Sequence, residues 1–398
     1  MSVAQLSSLL LYLSFILYLI AILFFGATIR QKKGIDQNRG NKAASWPGKA
    51  GIVITAVGFV LQIGYFITRW IAGGYPPISN MFEFITFFSL MLVGAFMILY
   101  YLYRIPALGV FALPIVVILI GYASMFSRDI TPLSPTLQSN WLIMHVMTTA
   151  AGQAILAISF VAGLIYLVKN IPQNDKKKAV AVEAILFTLI IFVGFIVAAT
   201  GFALVGYETE ITYNDHTGEP AVVTYKLPPI FGPNEYMITA GYNMAPMIEL
   251  PPWIKASQIN TLTWSVLIGL IIYFIIRLLA RKRLFALVQP LLHRMKNDVL
   301  DEVGYRSVLI GFPVFTLGAL IFGMIYAHFA WGRFWAWDPK EVWALITWFF
   351  YAAFLHLRLS RGWHGENSAW LAVIGFAIIM FNLIFVNLVI AGLHSYAV

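Results

Sequence analysis

The sequence predicts an all-α fold, a polytopic integral membrane bundle of about ten transmembrane helices with both termini outside. Of the 398 residues, 60% are hydrophobic and only 11% are charged, and the mean hydropathy is +0.82. Soluble domains are roughly one quarter charged, so this composition is typical of a membrane protein. Basic residues concentrate in every second loop, and this alternation gives the predicted orientation.

Apolar runs of membrane-spanning length justify each helix. A helix needs roughly 20 apolar residues to cross a bilayer, and by that rule the spans lie near residues 4–26, 51–73, 84–103, 106–126, 141–168, 180–205, 258–279, 307–327, 341–359 and 368–391. The first run has no basic residue before it and no small-residue cleavage pattern, so we expect a retained helix rather than a signal peptide. We interpret residues 1–398 as a single transmembrane domain.

The loops after spans 1, 3, 5, 7 and 9 are rich in basic residues, among them Lys176–Lys178 and Arg281–Arg283. Short loops that are rich in lysine and arginine stay in the cytoplasm. The net charge of +9 therefore reflects topology and does not predict nucleic-acid binding. The other loops are predicted to face outward, and they are residues 74–83, 127–140, 206–257 and 328–340.

The outward loop at residues 207–258 is a sizeable insertion. Within it, Thr212–Lys226 alternates around an Asp-His-Thr-Gly turn and predicts a small β-hairpin. The remainder is rich in proline, and we expect it to be irregular coil.

The outward segment at residues 328–348, which leads from span 8 into span 9, has a dense run of aromatic residues. Three tryptophans and a phenylalanine fall within seven residues beside a cation, and they are Trp331, Arg333, Phe334, Trp335 and Trp337. One interpretation is an aromatic belt at the membrane interface. The other is a surface for a large flat ligand, in which a helical turn places Trp331 and Trp335 on one face. The following Asp338-Pro-Lys-Glu341 has capping-box spacing and predicts the start of span 9.

Three histidines lie at the predicted outward end, and they are His145 on span 5, His328 on span 8 and His394 on span 10. Imidazoles beside an aromatic surface suit a flat metallo-macrocycle with axial ligands, although histidines also collect at membrane interfaces. His356 follows Glu341 by fifteen residues on span 9, so it lies roughly 22 Å below the outer surface. A polar side chain at that depth predicts a functional site. The alternative is a histidine that snorkels to the cytoplasmic boundary.

Several other chemistries lack support in the sequence. The chain has no cysteine, so it has no disulfide and no thiolate metal site. We find no His-Glu-x-x-His zinc motif, no phosphate-binding glycine loop and no nucleophile elbow, which argues against a hydrolase or a nucleotide-driven pump. Ser79 or Asn80 is expected to cap span 3, with Glu83 in its first turn.

The stretch Trp331-Gly-Arg-Phe-Trp-Ala-Trp-Asp-Pro-Lys-Glu-Val-Trp-Ala-Leu-Ile-Thr-Trp348, with Leu355-His-Leu-Arg358 after it, closely resembles the WWD signature of the CcsA/ResC family of cytochrome c assembly proteins (system II). The segments Ser79–Glu83, Leu137-Gln-Ser with His145, and Gly392–Tyr396 are similar to the same family. The resemblance runs from about span 2 to the C-terminus, and it includes neither the 207–258 loop nor His328.

The resemblance implies that the chain handles haem b and promotes its covalent attachment to the Cys-x-x-Cys-His motif of apocytochrome c, outside the cytoplasmic membrane. By this resemblance His145 and His394 are axial haem ligands and His356 is an intramembrane ligand linked to haem entry. Members act with a ResB/CcsB-like partner in a holocytochrome c synthase. The WWD segment holds the macrocycle, and its residues here are Trp331, Arg333, Phe334, Trp335, Trp337 and Asp338.

The two cations beside the aromatic residues, Arg333 and Lys340, are candidates to pair with haem propionates. Two other functions stay open at this point. The first is a haem exporter or carrier without ligase activity of its own. The second is a b-type cytochrome subunit, which needs paired histidines at matched depth, and His356 has no evident intramembrane histidine partner in the sequence.

Overall fold

The computed structural model describes residues 2–30, 46–130, 138–214, 218–251, 254, 256–293 and 295–387. The chain forms two compact units. The first combines Met1–Ile171 with Gln289–Val398, and the second is Pro172–Val288.

The prediction of ten membrane-spanning helices is confirmed, because ten helices in the described part of the chain are long and apolar enough to cross a bilayer. The α-helices in the described residues are α1 (Val3–Arg30), α2 (Trp46–Gly73), α3 (Met81–Tyr103), α4 (Pro106–Ala123), α5 (Asn140–Asn170), α6 (Lys176–Leu204), α7 (Ala256–Ala280), the short α8 (Leu284–Val288), α9 (Asn297–Phe315), α10 (Gly323–Trp331), α11 (Pro339–Arg361) and α12 (Glu366–Phe381). Helices α9 and α10 belong to one span, Asn297–Trp331, and α8 is too short to be a span. A 3₁₀ helix at Gln289–Leu292 follows α8. Two π-helical stretches complete the spans, a first π segment at Thr316–Phe322 between α9 and α10 and a second π segment at Asn382–Val386 after α12.

The predicted ends of most spans differ from those of the observed helices by a few residues, and span 8 differs most. Span 8 begins at Asn297, ten residues before the predicted start at residue 307. The hydropathy rule missed this part because it carries Asp298, Asp301 and Arg306, although one face of the helix is apolar and buried. Residues 388–391 of the predicted span 10 lie outside the described residues.

Helix α5 is the central helix of the first unit and is buried along most of its length. A Cβ placed on Gly152 would lie 2.6 Å from the backbone nitrogen of Phe315, and one on Gly163 would lie 2.9 Å from the carbonyl oxygen of Ala369. Such distances need glycine, so α5 packs backbone to backbone against α9 and α12. This close packing fixes the rotation of α5 and decides which of its side chains face the site.

The predicted cytoplasmic ends of α9, α11 and α12 are joined by a buried ion pair. Arg358 Nη1 and Nη2 donate to Asp301 Oδ1 and Oδ2 at 2.6 and 2.7 Å, and the Gly365 amide donates to Asp301 Oδ1 at 2.9 Å. Arg358 is only 6% exposed. Both carboxylate oxygens are satisfied by directed donors, which offsets the cost of burying the charges.

The start of α3 confirms the predicted cap and adds an ion pair that the sequence analysis did not identify. Asn80 accepts the Glu83 amide at 2.9 Å, and the Ser79 hydroxyl donates to Glu83 Oε2 at 2.7 Å. Arg69 on α2 also donates to Glu83 Oε1 at 2.8 Å, with both side chains buried. Glu83 therefore links two helices as well as capping one.

The second unit contains α6, α7, α8 and the inserted loop. The predicted hairpin is confirmed, since β1 (Thr209–Asn214) pairs antiparallel with β2 (Pro220–Tyr225). The expectation of irregular coil beyond it is wrong, because β4 (Tyr236–Gly241) also pairs with β1, and β3 (Phe231–Pro233) runs parallel to β5 (Ile248–Leu250). Asn260 on α7 accepts the Ile230 amide at 2.8 Å and donates to the Pro228 carbonyl at 3.1 Å. The Asn260 side chain thus forms hydrogen bonds with backbone groups of the proline-rich segment that have no partner in a neighbouring strand.

Candidate functional site

A small cavity of about 120 Å³ lies at the predicted outward end of the first unit. Its walls come from the start of α3, from α5, the end of α9, the first π segment, α10, the loop before α11, the start of α11 and the second π segment. Apolar side chains line part of it. Its polar lining residues are His145, Thr149, Gln153, Trp335, Lys340, Glu341, Asn382 and Asn387.

His145 is half-buried in this cavity, and its ring orientation is set by the first π segment. His145 Nδ1 lies 2.9 Å from the carbonyl oxygen of Gly318, and the ring stacks on Tyr326 with an interplanar angle of 11°. A carbonyl oxygen only accepts, so Nδ1 carries a proton, and in the neutral imidazole Nε2 then carries the lone pair. Metal-binding histidines typically donate their other ring nitrogen to a carbonyl in this way.

The first π segment has a local cause in the sequence. Pro313, in the preceding turn, removes one helical hydrogen bond, and Gly318 and Gly323 add no side-chain support. The Gly323 amide donates to the Gly318 carbonyl in the wider π register. The same carbonyl oxygen uses a second lone pair to accept from His145, so the distortion is coupled to the histidine.

The loop before α11 is held by the predicted capping box, which is confirmed. Asp338 accepts the Lys340 amide, and Glu341 Oε2 accepts the amides of Ala336 at 2.7 Å and Asp338 at 3.3 Å. Asp338 is 6% exposed, so this cap is buried. The aromatic residues in front of the cap are thereby fixed relative to α11.

The hypothesis that Trp331 and Trp335 share one helical face is wrong. Helix α10 ends at Trp331, where Gly332 adopts a left-handed φ of 71°, and the following residues are not helical. Trp331 packs edge to face on Tyr326 with ring centroids 5.5 Å apart, whereas Trp335 packs edge to face on Trp337 at 5.9 Å. A glycine C-cap ends the helix before a second aromatic turn can form.

The aromatic residues divide between the cavity and the surface. Trp335 and Phe334 line the cavity, and Phe334 also stacks on His328 with ring centroids 4.3 Å apart. Trp337 is 70% exposed and has a left-handed φ of 59°. That conformation costs about 1–2 kcal/mol for a residue with a Cβ, so Trp337 is held in a strained and exposed position.

Three buried polar atoms on cavity-lining residues have no hydrogen-bond partner among the described residues. They are Thr149 Oγ1, Trp335 Nε1 and Asn387 Oδ1. Asn387 is 7% exposed, and its Nδ2 donates to the carbonyls of Asn382 and Leu383, which leaves Oδ1 as an acceptor. Buried polar atoms are nearly always paired, so this group points to a ligand or ordered water.

The sequence analysis missed Thr149, Gln153 and Asn387. A signal was present, because His145, Thr149 and Gln153 are spaced by four residues and make one polar stripe on an apolar span. Polar residues inside a membrane span are functional candidates by default.

The structure separates the two candidate cations. Lys340 lines the cavity, whereas Arg333 is exposed and is not among the cavity-lining residues. The site therefore has its positive charge at the start of α11, next to the cap.

The predicted histidine ligands are only partly brought together. His145 lines the cavity, and His394 lies outside the described residues. His328 is exposed at the end of α10. His356 is also exposed, on a stripe of α11 that includes Phe349 and Ala353, and it does not line the cavity. Within the described ranges no three histidine, cysteine or carboxylate side chains cluster as a metal site.

The cavity fits part of a macrocycle rather than all of it. Clefts that enclose a ligand usually measure about 300–1,000 Å³, and this cavity is well below that size. His145 can offer Nε2 to a metal, but the space beside it accepts only an edge or a substituent of a porphyrin. The remainder of such a ligand has to lie outside the cavity.

Comparison with known proteins gives a consistent family. A family model described as cytochrome C assembly protein matches residues 78–206 and 259–394, on either side of the inserted loop. Proteins named cytochrome c biogenesis protein CcsA from Trichormus variabilis and from a Nostoc species are each 30% identical over 353 residues, which cover 88% of this chain and 88% of theirs. The protein of that name from Gloeothece citriformis is 29% identical and covers 88% of this chain and 87% of its own.

Proposed function

Because this chain belongs to the cytochrome c assembly protein family, we propose that it acts in cytochrome c biogenesis by binding haem b and presenting it for thioether attachment to apocytochrome c. The observation that carries the haem site is His145. Its Nδ1 is held by the Gly318 carbonyl, and it lines a cavity together with Trp335 and Phe334. That arrangement prepares Nε2 as an axial ligand. His394 is proposed as the second axial ligand.

The chain's contribution to the reaction is orientation. Each thiol of a Cys-x-x-Cys-His segment adds across one haem vinyl group. A sulfur–carbon bond forms, the thiol proton goes to the terminal vinyl carbon, and no group leaves. The chain has no cysteine of its own, so both sulfurs come from the acceptor. Holding the macrocycle between imidazoles with its vinyl edge outward supplies proximity and orientation.

The cellular setting follows from the same proposal. The ten apolar helices make this a multi-pass membrane protein, and we place it in the cytoplasmic membrane with the His145 end on the extracytoplasmic side. A ResB/CcsB-like subunit is the proposed partner. The exposed stripe of α11 that carries His356 is the proposed route of haem through the membrane, with Phe349 and Ala353 beside it.

The test is haem ligation in the purified full-length chain. Wild-type protein is expected to give the absorption spectrum of haem with two imidazole ligands. His145→Ala and His394→Ala should each convert that spectrum to one with a single imidazole or abolish it. His293→Ala, at an exposed histidine to which we assign no role, is the matched control. An unchanged spectrum in both His145→Ala and His394→Ala refutes the proposal.

A second measurement distinguishes a ligase from a carrier. The chain is reconstituted with ferrous haem and a Cys-x-x-Cys-His peptide, alone and with its partner subunit. Thioether formation is detected as haem that stays attached to the peptide after denaturation. Attachment with the chain alone supports ligation by this subunit. Attachment only with the partner supports a synthase that the two subunits form together. If no attachment occurs in either case, the result supports a haem carrier.

A further inference from the structure

We propose that the cavity beside His145 is a carboxylate pocket that takes one haem propionate, with Trp335, Thr149 and Lys340 as the recognising groups. This inference rests on the proposed haem site and adds which edge of the macrocycle enters the protein.

The size of the cavity gives the first step. At about 120 Å³ it accepts a substituent but not a porphyrin ring. The edge substituents of haem b are methyl, vinyl and propionate groups, and only the propionates are polar. Apolar side chains make up much of the lining, but a vinyl or methyl group would leave the unpartnered polar atoms of the cavity unsatisfied, whereas a propionate can pair with them.

The buried polar atoms that have no hydrogen-bond partner give the second step. Trp335 Nε1 only donates, and the Thr149 hydroxyl can donate, yet both are buried without a hydrogen-bond partner among the described residues. A buried donor without an acceptor is costly. A carboxylate supplies acceptors to both donors, and hydrogen bonds to a charged acceptor are stronger than neutral ones.

Charge gives the third step. Lys340 lines the same cavity and supplies the cation that a buried carboxylate needs. Glu341 is also in the wall, but its Oε2 accepts the amides of Ala336 and Asp338, so two backbone donors stabilise this carboxylate. Asn387 Oδ1 is an acceptor, so it does not bind the carboxylate and is not one of the recognising groups.

The orientation follows from the chemistry of the ligand. The propionates and the vinyl groups of haem b lie on opposite edges of the ring. Anchoring a propionate inside the cavity therefore turns the vinyl edge outward, where an acceptor thiol can reach it. The pocket thus acts as a positioning device for the proposed reaction, and Trp335 and Thr149 are specificity-determining residues.

The test compares haem with haem dimethyl ester, in which both propionates are capped. Each is titrated into the purified full-length chain, and the ratio of the two dissociation constants is measured by absorption. Wild-type protein is expected to prefer haem by about tenfold or more, since a hydrogen bond to a charged group is worth roughly that factor. Trp335→Phe and Thr149→Val keep the side-chain shape and remove the donors, so each should lower the ratio by about fivefold. Lys340→Met should bring it close to one.

Matched controls are Trp46→Phe, Thr68→Val and Lys49→Met, which lie on α2 away from the cavity and should keep the wild-type ratio. The inference is overturned if wild-type protein does not discriminate between haem and the ester. It is also overturned if the three cavity variants keep the wild-type ratio or weaken both ligands equally. If haem binding depends on His145 but the protein does not discriminate haem from the ester, only the carboxylate pocket is refuted. If the protein binds no haem at all, the proposed function is refuted as well.

Discussion

Gly323→Ala tests whether the first π segment positions His145. A Cβ at residue 323 would lie 3.1 Å from both Cε1 and Nδ1 of the His145 ring. Ordinary contacts begin near 3.4 Å, so the ring has to move by a few tenths of an ångström, which perturbs its 2.9 Å contact with the Gly318 carbonyl. Weakening that hydrogen bond and straining the rotamer cost about 1–2 kcal/mol together, or roughly five- to thirtyfold in haem affinity. Helix propensity favours alanine over glycine by up to about 1 kcal/mol, so folding should not suffer.

The assay is an absorption titration of the purified chain with haem, together with its thermal unfolding in detergent. Gly26→Ala is the control, because nothing lies within 4 Å of a Cβ at that position. Gly318→Ala gives the contrast, since its Cβ would lie 2.4 Å from the Thr149 backbone nitrogen and α5 would have to shift. We expect Gly318→Ala to lower stability and Gly323→Ala to lower affinity alone. Wild-type affinity in Gly323→Ala, with affinity lost in His145→Ala, refutes the positioning role.

Three further predictions concern other parts of the first unit. Asp301→Ala should destabilise the protein by about 3–5 kcal/mol because it leaves Arg358 buried without its partner, and the double variant with Arg358→Leu should recover part of that loss. A thermal-unfolding double-mutant cycle measures this, and additive losses contradict it. Trp337→Gly should raise stability by about 1 kcal/mol, since it relieves a left-handed φ of 59° in an exposed residue. The same substitution should weaken haem binding. If thermal unfolding shows a lower stability, the backbone of Trp337 is not strained. His356→Ala should change stability by less than about 0.5 kcal/mol because the residue is exposed, yet it should lower the haem content of protein purified from cells. Normal haem content removes His356 from the proposed haem route.

The sequence located His145 at the outward start of a span but did not show what holds it. Its partner, Gly318, is 173 residues away in the chain, and no local pattern connects the two. Asn387 was missed for the same reason. It is an ordinary polar residue in an apolar span, and it becomes notable only when the fold buries it in the cavity wall. Thr149 differs, because its spacing of four residues from His145 is visible in the sequence.

The aromatic run shows a different limit. Its composition predicted a binding surface, and its capping box was readable because Asp338, Pro339 and Glu341 interact within one turn. The left-handed conformations of Gly332 and Trp337 divided that run into a cavity wall and an exposed residue. Backbone dihedrals in a short loop are set by how its two flanking helices dock, so the sequence alone gave the aromatic residues but not their directions.

The number of spans and the helix caps were determined by the sequence itself, because each depends on hydropathy or hydrogen bonds within one stretch of chain. The cavity beside His145 was decided only by tertiary structure. Its walls come from five separate parts of the chain, represented by Phe84, His145, Phe315, Trp335 and Asn382. Which faces of those helices meet depends on close approaches at Gly152 and Gly318, where the absence of a Cβ lets the backbones touch. A contact of that kind depends on two helices together, so the sequence of either helix alone does not predict it.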